Sequence, residues 1–182
     1  MNGDKVDTDL ELVLDFVNTL DRRPGLEGIG DPATLSEWLT GRGLLAVGQP
    51  VSAADVERAH ELREAIRVLL QRHNEVDVDD AAALAALDRA ADRANLCIRF
   101  AGGYSHCEPS ADGVDGALGR ILGEISNLMA DGRWGRLKAC RADDCRWAFF
   151  DGAKNRSRAW CSMESCGNRA KVSAYRERHS VV

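Results

Sequence analysis

The chain is short of most features that would give an activity away. Proline is scarce, with four residues among 182, and glycine stands at seventeen, in a composition that is 45% hydrophobic and 29% charged. Those proportions are those of a folded chain and exclude whole-chain disorder and fibrous structure. No apolar run approaches the ~20 residues needed to cross a bilayer; Leu12–Leu14 is typical of what exists. The first residues, Met1-Asn2-Gly3-Asp4-Lys5, are polar and lead into no apolar signal core, so the expected compartment is a reducing cytoplasm. No unit of solenoid or propeller length repeats. Phosphate loop, nucleophile elbow and paired-carboxylate signatures are all missing, and His60, His73, His106 and His179 form no ligand pair or triad. An enzyme is therefore not expected.

What is present is unevenly charged. Residues 133–182 hold 12 Lys/Arg against 5 Asp/Glu, whereas residues 1–132 hold 12 against 24, and the total of −5 conceals a basic end on an acidic body. Such asymmetry points to a polyanionic partner for the basic end. At this length, one domain with a small appended module is expected. The composition changes near Gly132, which sets provisional bounds of 1–132 and 133–182.

The first part reads as α+β and mostly helical. Leu10–Leu20 is apolar on nearly every side, with Asp15 and Asn18 inside the run, and fits either a buried strand or a short helix. A loop over Asp21–Gly30 follows. Asp31-Pro32 offers an N-cap with proline at the first helical position, opening a helix over Ala33–Leu45 with Leu35, Trp38 and Leu39 on one face. Ser52-x-x-Asp55 resembles a capping box, and behind it Val56, Ala59, Leu62, Ile66, Leu69 and Leu70 recur at helical spacing to about His73. Glu64 and Arg67 on that helix are expected to form a weak surface pair. An alanine-rich helix over Ala81–Ala94 should turn Leu84 and Leu87 inward. Gly102-Gly103 between alternating segments predicts a β-hairpin across which Cys97 and Cys107 face each other. Val114–Ala130 reads as an amphipathic helix with Leu118, Ile121, Leu122, Ile125 and Leu128 inside, closed by Asp131-Gly132.

The basic end carries the chemistry. Cys140-x4-Cys145 and Cys161-x4-Cys166 are two close pairs separated by fifteen residues, the spacing by which two pairs of thiolates converge on one tetrahedral zinc ion. Disulfides would need export, for which nothing here speaks, and unconnected core thiols would not cluster as matched pairs beside Trp147 and Phe149. Arg146–Phe150 is a strand candidate, Asp151–Asn155 a turn, and Arg156–Trp160 a returning segment. A helix follows from near Cys166 through Val172 and Tyr175 to about His179. A knuckle, a hairpin and a helix bearing the last ligand make a treble-clef-like finger. Four thiolates leave no position open to water, so the zinc would be structural. The site would carry −2, which leaves the segment basic.

These residues are similar to a known family. Cys166-Gly167-Asn168-Arg169 resembles the motif that names the CGNR zinc finger, and Trp147, Phe149-Phe150-Asp151, Asn155-Arg156-Ser157-Arg158 and Trp160-Cys161-Ser162-Met163 resemble the rest of it. Ala153 departs from the serine common at that place, which removes one turn hydrogen bond and touches no ligand. Leu14-Asp15-Phe16-Val17-Asn18-Thr19 and Leu62-Arg63-Glu64-Ala65 resemble the ABATE domain usually found with this finger. The resemblance implies a bacterial, stress-related transcription regulator.

For nucleic acid, Lys154, Arg156 and Arg158 on the turn and return, with Arg169, Lys171, Arg176 and Arg178 on the last helix, would neutralise phosphates. Asn168 or Arg169 would read a base edge, and Gly167 would admit a close backbone approach. The helix shows no single basic stripe, so Asn168 and Arg169 have a competing structural reading, with the arginine stacked on Trp160 or paired with Asp151. Asp15 and Asn18 would either cap and bond backbone or line a pocket for a small-molecule effector. Two functions follow: a DNA-binding regulator whose N-terminal domain senses a ligand or pairs as a homodimer, or an interaction or ligand-binding module whose zinc segment only braces the fold.

Overall fold

The computed structural model describes residues 3–179, with side chains from residue 10 onward except that of Glu177. Helix α1 (Gly3–Val17) resolves the first ambiguity in favour of a helix. Val13, Phe16 and Val17 lie three and four apart and are fully buried, which a strand could not arrange on one face. Two short strands, β1 (Leu20–Asp21) and β2 (Leu26–Glu27), pair antiparallel around a tight loop. Helix α2 (Pro32–Gly41) starts at the predicted cap, where the Asp31 carboxylate accepts from Ala33 and Thr34 amides and Thr34 Oγ1 completes the box. Helix α3 (Ala53–Arg72) starts at the second predicted cap, Ser52 with Asp55, and buries all six predicted apolar positions.

Two expectations for the helices fail. Arg67 on α3 is fully buried and reaches Glu64 from inside the protein, so the pair is no surface ornament. Helix α4 (Ala81–Ala94) leaves Leu84 about half exposed and buries Ala83, Ala86, Ala90 and Ala94 instead. The alanine stripe lets α4 lie close against α3 and helix α5 (Gly113–Ala130), and Leu84 falls off that stripe. Close approach is also built into α5: a Cβ at Gly119 would stand 2.5 Å from the Ala94 Cβ, and one at Gly123 would stand 2.7 Å from the Cys107 carbonyl oxygen.

Strands β3 (Leu96–Ala101) and β4 (Tyr104–Pro109) form the predicted hairpin, with Gly102 and Gly103 both at positive φ. The register pairs Ile98 with Cys107 and Cys97 with Glu108. Cys97 and Cys107 are therefore offset by one residue and lie on opposite faces, contrary to the predicted juxtaposition. Cys107 receives a hydrogen bond from Ser126 Oγ on α5, and Cys97 turns back to the Asn95 carbonyl.

A 3₁₀ turn (Trp134–Arg136) leads into β5 (Leu137–Ala139), which pairs antiparallel with β6 (Ala148–Phe150). The sequence places a hairpin after the first cysteine pair; in the structure the hairpin encloses that pair, because β5 precedes Cys140 and β6 follows Cys145. A π-helical turn (Met163–Gly167) then opens helix α6 (Asn168–His179). The fold is thus α+β, helix-dominated with small two-stranded sheets, ending in a finger whose fourth cysteine lies in the π turn at the head of the last helix.

One apolar core unites most of this. Leu137, Ala139 and Ala148 of the β5–β6 hairpin join the cluster formed by α1, α2, α3 and α5, and a smaller cluster of Cys140, Cys145, Phe149 and Cys166, flanked by Trp147 and Trp160, sits beyond it. Among the described residues no helix is long and apolar enough to cross a membrane.

Candidate metal centre

Cys140 follows β5 directly, and its amide donates to the Trp147 carbonyl, closing the loop that carries the first pair. The Cys145 amide donates to the Ala142 carbonyl, and Arg146 then takes a positive φ of 54°, which reverses the chain into β6. Cys161 and Cys166 come from the segment entering the π turn, where Ser162 caps the Ser165 amide. At Gly167 a Cβ would meet the Met163 sulfur at 2.8 Å and Trp160 at 3.3 Å, so the glycine of the motif serves close packing beside the last cysteine.

The four Sγ atoms lie within 4.8 Å of one another, with Cys145–Cys161 and Cys161–Cys166 separations of 3.6 Å. A tetrahedron with Zn–S bonds of about 2.3 Å has S–S edges of about 3.8 Å, so the donor set has the size and softness that zinc requires. The residues fit one structural zinc, bound through four thiolates and closed to further ligands. Burial pushes the Cys140 and Cys161 thiols up. At Cys166 burial works the same way, but hydrogen bonds from the neighbouring thiols and from Arg23 outweigh it and bring that thiol down to about 7.

Two guanidinium groups face this last sulfur. Arg23, in the β1–β2 loop, donates to Cys166 Sγ at 2.7 Å and to Ser165 Oγ at 3.0 Å. Arg169 lies 3.8 Å from the same sulfur and forms a bidentate pair with Asp144 at 2.6 and 2.9 Å. Hydrogen bonds to Asp144 and Cys166 keep Arg169 charged and hold Asp144 below the usual carboxylate range. Two positive groups thus offset part of the net charge of a zinc tetrathiolate, since Asp144 pairs with one and lies near the other.

The turn after β6 is organised by Asp151. Its fully buried carboxylate accepts from Lys138 Nζ at 2.8 Å and from the amides of Arg158 and Ala153 at 3.0 Å each. Burial alone would raise this group; the Lys138 ammonium and the amides override it and hold the carboxyl below its ordinary value. Lys138 also donates to the Arg156 carbonyl, which fixes the loop.

The residues predicted for nucleic acid divide on these contacts. Arg169 pairs with Asp144, neither with Asp151 nor with Trp160. Asn168 donates to the Glu164 carbonyl at 3.2 Å. Arg158 stacks over Phe149 at 4.7 Å and donates to the carbonyls of Trp160 and Cys161. These three hold the finger together. Lys154 and Arg156 on the loop, and Lys171, Arg176 and Arg178 on α6, are exposed. The side chains of Asp15 and Asn18 go to partners rather than to a cavity. Asn18 accepts from the Ala148 amide at 2.8 Å and donates to the Ala148 carbonyl at 2.9 Å, clasping α1 to β6, while Asp15 pairs with Arg42, which stacks on Trp38.

Sequence reasoning missed the residues that weld the finger to the body. Arg67 donates to the Arg146 carbonyl at 2.8 Å and to the Val17 carbonyl at 2.6 Å. Asn74 donates to Ala139 and Ala159 carbonyls, and Arg141 returns a hydrogen bond to the Asn74 carbonyl. Nothing local marks Arg23, Arg67 or Asn74, because their partners are distant in the chain.

Comparison with known families agrees with this anatomy. Residues 136–179 match the CGNR zinc finger, and residues 10–131 match the family described as "Putative stress-induced transcription regulator", ABATE. The chain belongs to the ABATE family. No curated protein matches it. In this ABATE chain the two matched segments meet at the 3₁₀ turn, yet the finger's hairpin packs in the same core as the helices before it.

Proposed function

We propose that this chain is a DNA-binding transcription regulator, without catalytic activity, whose zinc centre holds α6 and the Asp151–Arg158 loop as the contact surface. The observation that carries the reading is α6 itself. The helix is basic, its described side chains are exposed apart from half-buried Ala170, and it follows directly on the π turn that bears Cys166. A twelve-residue helix this polar has no folding reason to project from a metal site. It has the length and charge to lie in a major groove with Lys171 and Arg176 toward phosphates and Lys154 and Arg156 alongside. Arg158, Asn168 and Arg169 contribute by keeping that surface in place.

The test is binding of the zinc-loaded chain to duplex DNA over a range of salt, read by fluorescence anisotropy. Affinity should fall steeply with salt, and each phosphate that a variant no longer neutralises should reduce the log–log slope by about 0.9. The variant Lys154→Glu/Arg156→Glu should weaken binding at unchanged zinc content. Arg158→Glu is a poor probe because it also removes two backbone hydrogen bonds. Salt-independent binding, or none with zinc in place, favours the second reading, in which the finger braces the fold. That reading draws on Arg158, Asn168 and Arg169, all held within the finger.

A further inference from the structure

The four thiolates close the coordination shell, but their sulfurs are not equally shielded from solvent. A cavity of about 320 Å³ is lined by Cys145, Trp147 and Cys161 from the finger and by Asp21, Arg23 and Pro24 from the β1–β2 loop. Cys140 is fully buried, and Cys166 is buried beneath Arg23 and Arg169, whereas Cys161 is partly exposed and borders the cavity with Cys145. The Cys145 and Cys161 sulfurs are 3.6 Å apart. We propose that Cys161 is an oxidative modification site, whose thiolate attacks hydrogen peroxide entering this cavity, and that Cys145 resolves the product into a Cys145–Cys161 disulfide with loss of the metal.

The chemistry follows from access and charge. The thiolate is the reacting form, and metal-bound cysteines are already thiolates. Cys161 Sγ attacks one peroxide oxygen, forming an S–O bond as the O–O bond breaks, and the departing hydroxide takes a proton from solvent to become water. The sulfenic acid so formed is attacked by Cys145 Sγ; the S–S bond forms, the S–O bond breaks, and a second hydroxide leaves as water after taking another proton. Two thiolates are oxidised by two electrons and one peroxide is reduced to two waters. Cys166 is equally near Cys161 at 3.6 Å. Its sulfur already accepts from the Arg23 guanidinium, and a thiolate so paired is the weaker nucleophile. The two thiolates that remain cannot hold the ion as four did. The inference does not depend on whether α6 meets DNA.

The experiment uses the zinc-loaded full-length chain carrying Cys97→Ser and Cys107→Ser, treated with hydrogen peroxide in molar excess. A chromogenic chelator reads released zinc, dimedone traps sulfenic acid, and peptide mass mapping reads the linkage. We expect an early dimedone adduct on Cys161, then complete zinc release with a Cys145–Cys161 disulfide, both reversed by dithiothreitol and added zinc. Arg23→Ala, or Arg23→Gln if the alanine variant loses zinc on purification, should bring Cys161–Cys166 linkage up to equal abundance. Retention of zinc under peroxide that fully oxidises Cys97 and Cys107 in the unsubstituted chain would overturn the proposal. So would a first adduct on Cys140 or Cys166, or a linkage pattern unmoved by the Arg23 variants.

Discussion

Replacing Arg67 by methionine should be among the most damaging single changes in the body of the protein. Methionine fills most of the space of the arginine stem but donates nothing. The Val17 and Arg146 carbonyls, now at 2.6 and 2.8 Å from the guanidinium, would be left without that donor, and Glu64 Oε2 would lose its 3.1 Å partner. Orphaning a buried acceptor costs about 1–3 kcal/mol, and two of them bracket ~2–6 kcal/mol. Relief from burying a cation offsets part of this, so ~3–4 kcal/mol is the expected loss. Glu64→Gln should cost less than ~1 kcal/mol, because that side chain is 40% exposed and its pairing is screened by solvent. Urea unfolding of the zinc-loaded protein, followed by circular dichroism, measures both. A loss at Arg67 of only ~0.5 kcal/mol, the worth of a solvent-exposed helix pair, would refute the assignment of this residue as the tie between α1, α3 and the finger.

Three further outcomes are expected. Asn18→Ala removes both hydrogen bonds to the Ala148 backbone and should destabilise the chain by ~2–4 kcal/mol; thermal melts showing no change would return Asn18 to the role of a pocket residue. Chelation of zinc should lower the melting temperature of the whole chain, since β5 and β6 share the main core; an unaltered melt of the helical signal would show the finger to be independent. Burial holds the His73 imidazole, bonded to the Leu137 carbonyl, below its ordinary value of 6.5. The unfolded chain therefore binds the proton first, so stability is full above about pH 7 and is lost as pH falls toward the folded value. His73→Phe should flatten that slope in denaturant titrations carried downward from about pH 7, and an unchanged slope would place the titration elsewhere.

Much of the molecule is legible along the chain. The caps at Asp31 and Ser52, the spacing of Val56 through Leu70 and the Gly102-Gly103 turn are local signals, because helix starts and tight turns are decided by side chains a few residues apart. The thiolate set is legible for a different reason: coordination chemistry demands matched donors, and four cysteines in two spaced pairs leave few alternatives. Alanine-faced α4 escapes such reading because the sequence shows which residues are apolar but not how near a neighbouring helix stands. Cys97 and Cys107 escape it because a shift of one residue in register moves a side chain to the other face.

Tertiary structure alone settled what the polar side chains do. Arg67, Asn18, Asn74 and Arg23 each reach a partner 50 to 143 positions away, and no window of sequence contains both ends of such a contact. A guanidinium or an amide on paper is compatible with solvent, a phosphate, a carboxylate or a buried carbonyl. The choice is made by whichever acceptors the packed helices bring within about 3 Å.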